Sequence, residues 1–201
     1  MLAILILAAG RSSRMRGRDK LLEPVQGKAL LELVARRALS TGIEVFVALP
    51  PQGNARRDVL PKDVTPIEVR NAHLGMGTSI ATSVQHMPET ISALMILPAD
   101  MPELTEDDLA TMRTAQNENP DAILRAMSGD RPGHPVVFPK RCFNALNGLS
   151  GDEGARHVIR GDERAVIHVA LPAQHALTDL DTPEDWAAWR AKQKKDKLDG
   201  L

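Results

Sequence analysis

Leu2-Ala3-Ile4-Leu5-Ile6-Leu7 runs into Ala8-Ala9-Gly10-Arg11-Ser12-Ser13-Arg14-Met15, and Asp19-Lys20-Leu21-Leu22 follows shortly after. The apolar run reads as a buried strand. A buried strand that empties into small residues, hydroxyls and cations places backbone N–H groups and positive charge at a sheet's carboxyl edge, where phosphates bind. The stretch therefore predicts an α/β fold with a nucleotide held at the edge of its sheet. Neither common phosphate cradle is present, because the G-x-x-x-x-G-K-[ST] and G-x-G-x-x-G spacings are both missing and Lys20 is followed by Leu21 rather than a hydroxyl residue.

Composition narrows the class. A chain of 201 residues with 43% hydrophobic content can bury one sizeable core. The expected organisation is a single domain over residues 1–190, with residues 191–201 as a charged tail that frays. A net charge of -1 supplies no basic field for nucleic acid, and an aromatic content of 2% leaves little for base stacking. Cys142 is the only cysteine, so no internal disulfide forms, and it reads as a small buried apolar residue. The N-terminal apolar run has no positive region before it and is too short to span a bilayer, which gives the expectation of a cytoplasmic protein without a membrane partner.

Strand and helix signals alternate as in βαβ units. Strands are expected over Ile43–Leu49, Ile67–Arg70, Ala93–Leu97, Ala122–Ala126 and Ala165–Val169. Leu30, Leu31, Val34, Ala38 and Leu39 recur at helical spacing and stop before Gly42. Thr105 with Asp108, and Thr182 with Pro183 and Asp185, read as capped helix starts. The architecture expected is a three-layer α/β/α sandwich around a mostly parallel sheet, with its cleft at the strands' carboxyl ends.

A second constellation is Leu94-Met95-Ile96-Leu97-Pro98-Ala99-Asp100-Met101-Pro102. The apolar strand ends in an aspartate flanked by prolines, which cannot extend a ladder, so Asp100 is expected at the cleft. A carboxylate there suits Mg²⁺, which takes one or two carboxylates and completes its shell with phosphate oxygens and water.

Four further segments follow in order: Gly75-Met76-Gly77-Thr78-Ser79-Ile80, read as opening a helix; Gly133-His134-Pro135-Val136-Val137-Phe138-Pro139 after Arg131; Gly151-Asp152-Glu153-Gly154-Ala155-Arg156, read as opening another helix; and Asp179-Leu180-Asp181-Thr182-Pro183-Glu184-Asp185. In order and spacing, from Leu2 to about Trp189, these motifs resemble the molybdenum cofactor cytidylyltransferases, within the group that includes the molybdopterin guanylyltransferases. The resemblance implies a Rossmann-like nucleotidyltransferase that moves CMP from CTP to the phosphate of molybdenum-loaded molybdopterin and releases pyrophosphate. It implies a nucleotide site at Leu7, Ala8, Ala9, Gly10, Ser12, Arg14, Lys20, Thr78 and Ser79, with Arg14, Lys20 and Asp100 catalytic. Asp100 and Asp181 would bind Mg²⁺, with Asp179 in reserve for Asp181. His134, Asp152 and Arg156 would face the acceptor, and the product would pass to a recipient molybdoenzyme or its maturation chaperone.

Purely structural roles compete at several positions. Thr78 and Ser79 could cap a helix, Asp152 and Arg156 could pair along one, and His134 is expected in a loop. The family usually has Gly directly after the Arg-Met pair, where this chain has Arg16, expected to face solvent. In the family, Ala-Ala-Gly in the first loop goes with cytidine transfer and Ala-Gly-Gly with guanosine transfer, so Ala9 points to CTP. The alternatives are a guanylyltransferase, a transferase acting on another phosphorylated acceptor such as a sugar phosphate, and a catalytically silent protein that delivers a cofactor.

Overall fold

A computed structural model of the chain describes residues 1–51, 55–162 and 166–199, without the side chains of 197–199. In chain order the elements are β1 (Leu2–Leu7), β2 (Pro24–Val25), β3 (Lys28–Ala29), α1 (Leu30–Ser40), β4 (Glu44–Leu49), α2 (Ala55–Asp58), β5 (Thr65–Glu68), α3 (Met76–Gln85), β6 (Ala93–Pro98), α4 (Glu106–Glu118), β7 (Ile123–Ser128), β8 (Arg131–Pro139), α5 (Phe143–Asn147), α6 (Arg156–Arg160), β9 (Val166–Ala170) and α7 (Pro183–Asp199). The expected start of the last strand, Ala165, lies outside the described residues.

A seven-stranded sheet has the order β5-β4-β1-β6-β8-β7-β9. Every neighbouring pair is parallel except those made by β8, which runs antiparallel to both β6 and β7. β1 is central and buried on both faces, which is why its sequence is an unbroken apolar run. Ile4 and Ile6 face one layer with Leu30, Leu31 and Val34 of α1, Met112 of α4 and Trp186 of α7. Ala3 and Leu5 face the other with Ile80 and Val84 of α3, Leu146 of α5 and Val158 of α6. Each fully buried aliphatic side chain contributes about 1.5–3 kcal/mol, so this alternation fixes the strand's register. The three-layer α/β/α sandwich is thus the observed fold.

Both expected helix starts carry reciprocal caps. Thr105 Oγ1 accepts from the Asp108 N–H while Asp108 Oδ2 accepts from the Thr105 N–H. Thr182 and Asp185 repeat the pattern at the head of α7. α7 continues into the charged segment as far as Asp199. Gln193 Nε2 donates to Glu103 Oε1 at 3.5 Å. Among the described residues no helix is long and apolar enough to cross a membrane.

Candidate active site

β1 and β6 run side by side with Leu7 opposite Pro98, so both chains leave the sheet at one edge. The Ala99 N–H donates to the Leu7 carbonyl at 3.2 Å and keeps the two exits together. A third segment arrives from far along the chain: the Leu180 N–H donates to the Asp100 carbonyl at 3.2 Å, which sets the Asp179–Asp181 stretch beside Asp100.

Lys20 stands at the meeting point. Its Nζ donates to Asp100 Oδ2 at 2.5 Å and to Asp181 Oδ1 at 2.6 Å, and its side chain is only 17% exposed. Burial works against the ammonium, but the two carboxylates outweigh that and hold Lys20 above the usual lysine range. Arg14 Nη1 takes the other oxygen of Asp181 at 2.6 Å, with most of its side chain in solvent. Asp179 lies outside this set of hydrogen bonds; desolvation and the charges of Asp100 and Asp181 push its carboxyl above the usual range. Two oxygens that converge on one nitrogen are also a donor pair for a hard divalent cation. Among the described residues no cluster of three or more His, Cys, Asp or Glu is arranged for a metal, so substrate oxygens and water would have to complete its shell.

The first loop is braced by a residue that sequence reasoning missed. Arg56 on α2 is 4% exposed. Its Nη1 donates to the carbonyls of Ala8 (2.6 Å) and Gly10 (2.7 Å), and its Nε and Nη2 grip both oxygens of Asp19 at 2.7 and 2.9 Å. Burial would raise the Asp19 pKa, yet the guanidinium overcomes it and holds the carboxyl below its usual range. Ser12 belongs to the same network: its Oγ donates to Asp19 at 3.1 Å and accepts from the Lys20 N–H at 3.1 Å. In sequence, Arg56-Arg57 reads as ordinary surface charge, and nothing local marks one of the pair as buried.

A cleft of about 350 Å³ opens over this edge, and Leu7, Ala9, Gly10, Lys20, Ser79 and Asp100 line it. His73 and Met76, which the sequence reading did not single out, line it too. Ala8 does not; its side chain packs in the core and only its carbonyl serves the loop, through Arg56. Thr78 is half-buried outside the cleft lining. Neither Thr78 nor Ser79 caps α3, because the N-cap is Gly75 and the Ser79 hydroxyl donates to its carbonyl at 3.4 Å.

Gly75 has φ +115°, and a Cβ there would strike Gly151, which lets the 151–154 turn pack on the head of α3. That turn corrects one expectation. Gly151 and Gly154 both adopt positive φ, so no helix opens at 151; α6 begins at Arg156 and Asp152 lies outside it. Among the described residues Asp152 and Arg156 form no ion pair, and Asp152 lines the cleft instead.

His134 is likewise corrected from loop to strand, within β8. Its N–H donates to the Ala176 carbonyl at 2.9 Å, an approach that a side chain on Gly133 would block. With Arg156 and Asp152 it lines a second cavity that shares Leu7 and Met76 with the cleft. Burial, with the Arg125 and Arg156 charges, lowers its pKa from 6.5 to about 4 against the opposing pull of Asp100, so the imidazole is neutral. Arg16 is mostly solvent-exposed, as expected, and meets Glu184 at 2.5 Å. Its φ of +52° is a left-handed conformation that Gly adopts without strain.

Residues 4–168 match the family described as the MobA-like NTP transferase domain. The chain belongs to this family. Among its relatives, the purine catabolism protein PucB of Bacillus subtilis is 31% identical over 90% of this chain and 91% of its own length. A probable molybdenum cofactor guanylyltransferase of Rhodopirellula baltica is 27% identical over 90% of this chain and 87% of its own. The crystal structure of Rv0371c from Mycobacterium tuberculosis superposes with a TM-score of 0.80 at 22% identity, covering 94% of this chain and 96% of that one. The same mycobacterial protein is also known as a manganese complex, with a TM-score of 0.75. Members of the MobA-like family use nucleoside triphosphates as donors, and this chain is an NTP-dependent nucleotidyltransferase of that kind.

Proposed function

We propose that the protein transfers CMP from CTP to the phosphate of molybdenum-loaded molybdopterin. The observation that carries this reading is the convergence of Asp100 and Asp181 on Lys20 beneath the Ala8-Ala9-Gly10 loop. An oxygen of the acceptor phosphate forms a bond to the α-phosphorus of CTP as the bond to the β-phosphate oxygen breaks, and pyrophosphate leaves. A phosphate monoester has its second pKa near ~6, so no side chain need remove a proton from it. The obstacle is repulsion between anions, which Lys20 and Arg14 reduce at the triphosphate. A single preorganised donor of this kind is worth about 2.7–4 kcal/mol in the transition state.

Asp100 and Asp181 would hold Mg²⁺, which when bound supplies charge stabilisation at the phosphate oxygens. The two carboxylates already converge on one point, which fits such an ion. Holding it requires Nζ of Lys20 to turn from them towards the triphosphate. Ala9 lines the cleft, and under this reading its methyl takes space that a purine base would need, which favours CTP.

The second reading is transfer of GMP, favoured by the guanylyltransferase relative. The four NTPs, each incubated with Mg²⁺ and molybdate-loaded molybdopterin and read as pyrophosphate release, separate the two. CTP is the expected donor; a preference for GTP replaces this reading with the second. Release with a sugar phosphate but not with molybdopterin changes the acceptor class, and binding of nucleotide without release identifies a silent delivery protein. Asp100→Asn in the same assay should keep the fold and lose most turnover. Normal transfer by that variant at limiting Mg²⁺ would remove Asp100 from the metal site.

A further inference from the structure

Asp100 and Asp181 reach Lys20 from segments far apart in the chain, and the backbone bond from the Leu180 N–H to the Asp100 carbonyl fixes a distance between them while leaving rotation about it. Further points of attachment come from Glu103, just past Asp100 and outside the cleft, in a separate surface groove with Pro102 and Trp189. Arg37 on α1 pins the loop on either side of Glu103, since its Nη1 donates to the carbonyls of Pro102 at 2.8 Å and Leu104 at 2.6 Å. The Glu103 side chain is only 9% exposed. Its Oε1 accepts from Trp189 Nε1 at 3.0 Å and, more weakly, from Gln193 Nε2. Its Oε2 accepts from Thr178 Oγ1 at 3.3 Å, a proton that Thr178 shares with the Gln174 carbonyl. These partners stand on both sides of Asp181 in sequence: Thr178 precedes it, and Trp189 and Gln193 belong to α7, which follows it. Asp181 is itself tied to the head of that helix, because its N–H donates to Asp185 Oδ2 at 3.2 Å. The position of α7 therefore sets the position of Asp181.

A largely buried carboxylate is a costly way to fasten a helix. Among the described residues its one cationic partner is Lys192, whose Nζ lies 4.0 Å away and whose side chain is half in solvent, so neutral donors hold most of the charge. What the arrangement gains is geometry. Hydrogen bonds to an ionised acceptor are stronger than those between neutral groups, and here one side chain on a pinned loop grips the chain before and after Asp181. We infer that Glu103 is a positioning residue: through Thr178 and α7 it sets the Asp181 carboxylate against Asp100 and so fixes the point at which Lys20 is held. Its consequence for turnover rests on the transferase reading; the placement of Lys20 does not.

The test uses the full chain carrying ¹⁵N-labelled lysine. An ammonium gripped by two carboxylates exchanges its protons slowly enough to give its own ζ-nitrogen signal, which Lys20→Ala assigns by its loss. Glu103→Ala should broaden that signal beyond detection in protein that circular dichroism shows to be folded, and Trp189→Phe, which removes one donor and keeps a ring, should broaden it too. Glu103→Gln should restore it, because the amide oxygen accepts from Trp189 and the amide N–H donates to the Thr178 hydroxyl. In pyrophosphate release, Glu103→Ala should lower kcat about tenfold, less than the ~10²-fold that a misplacement of about 1 Å can cost. The KM for the nucleoside triphosphate should stay near the wild-type value, since Arg56 braces the nucleotide loop independently. A lower melting temperature with the Lys20 signal and kcat unchanged would mean that Glu103 only stabilises α7, and overturns the inference. Loss of the signal in Glu103→Gln as well would make charge rather than hydrogen bonding the cause, and a wild type with no protected Lys20 signal would remove the premise; either overturns it. If Glu103→Ala does not fold, Trp189→Phe decides by the same signal. Failure of the transferase reading appears separately, as absent pyrophosphate release in a wild type whose Lys20 signal and its variants behave as expected.

Discussion

Acidification should destabilise this protein through one buried histidine. His134 has a folded pKa of about 4 against an ordinary value of 6.5. Between those two values the unfolded chain binds a proton at this position that the folded chain refuses, so stability rises with pH there. The contribution is therefore fully present above pH 6.5 and is lost as the pH falls towards 4. A pKa difference of this size corresponds to about 3 kcal/mol, at about 1.4 kcal/mol per unit. That is a large fraction of the ~5–15 kcal/mol that holds a domain folded. Urea unfolding followed by circular dichroism from pH 7 to pH 4, on the wild type and on His134→Gln, isolates the effect. The glutamine cannot protonate, so the variant's stability relative to wild type should improve by about 3 kcal/mol as the pH drops across the window. The Asp19 carboxylate, held low by Arg56, gives up its contribution only below its ordinary value of 3.8 and is common to both proteins. Parallel stability curves for the two proteins would refute the claim that His134 is buried neutral between two arginines.

Lys20→Ala should slow transfer about 10²- to 10³-fold at saturating nucleotide, the loss expected for one transition-state donor. The same variant should bind Mn²⁺ more tightly than wild type without nucleotide, because Asp100 and Asp181 lose their shared cation; calorimetry showing weaker binding would count against a metal site between them. Arg56→Ala should cost about 3 kcal/mol in urea unfolding by leaving Asp19 unpaired. Arg56→Lys, which keeps the charge but not the fork, should raise the NTP KM with a smaller stability loss; a wild-type KM in that variant would show that the brace does not position the loop. Ala9→Gly should shift the CTP-to-GTP preference by about 1–3 kcal/mol, enough to relax it without inversion. An unchanged ratio of kcat/KM values would take Ala9 out of base recognition.

The elements most legible in the sequence were those whose pattern is fixed by local physics. β1 could be read because a central parallel strand must be apolar on both faces, and α4 and α7 because a Thr three residues before an Asp satisfies orphan N–H groups in a recognisable way. β8 was read as a motif rather than a strand, since Pro132, Gly133 and Pro135 are residues that strands normally avoid. It is antiparallel to both neighbours, and the 172–178 segment covers Gly133 closely, so tertiary contacts override the local signal. Asp152 was misplaced for the related reason that Gly151 and Gly154 take positive φ and make a turn where a helix was read.

The site shows the same division between what a loop states about itself and what the topology brings to it. Asp100 was legible because it follows a strand end directly, and Lys20 because it belongs to the loop that leaves the neighbouring parallel strand at the same edge. Arg56 and Arg125 were not, because the reason each is where it is lies elsewhere in the chain. Arg56 is buried by carbonyls of Ala8 and Gly10, residues nearly fifty positions away that contribute no side-chain signal of their own. Arg125 is set by its pairing with Val136 on the one reversed strand, which turns its guanidinium into the same cavity as His134. Residues that contact phosphate through a loop can therefore be found from the loop. Those that brace it, or that build the facing wall, require the strand order, and β8 is the strand whose direction decides that wall.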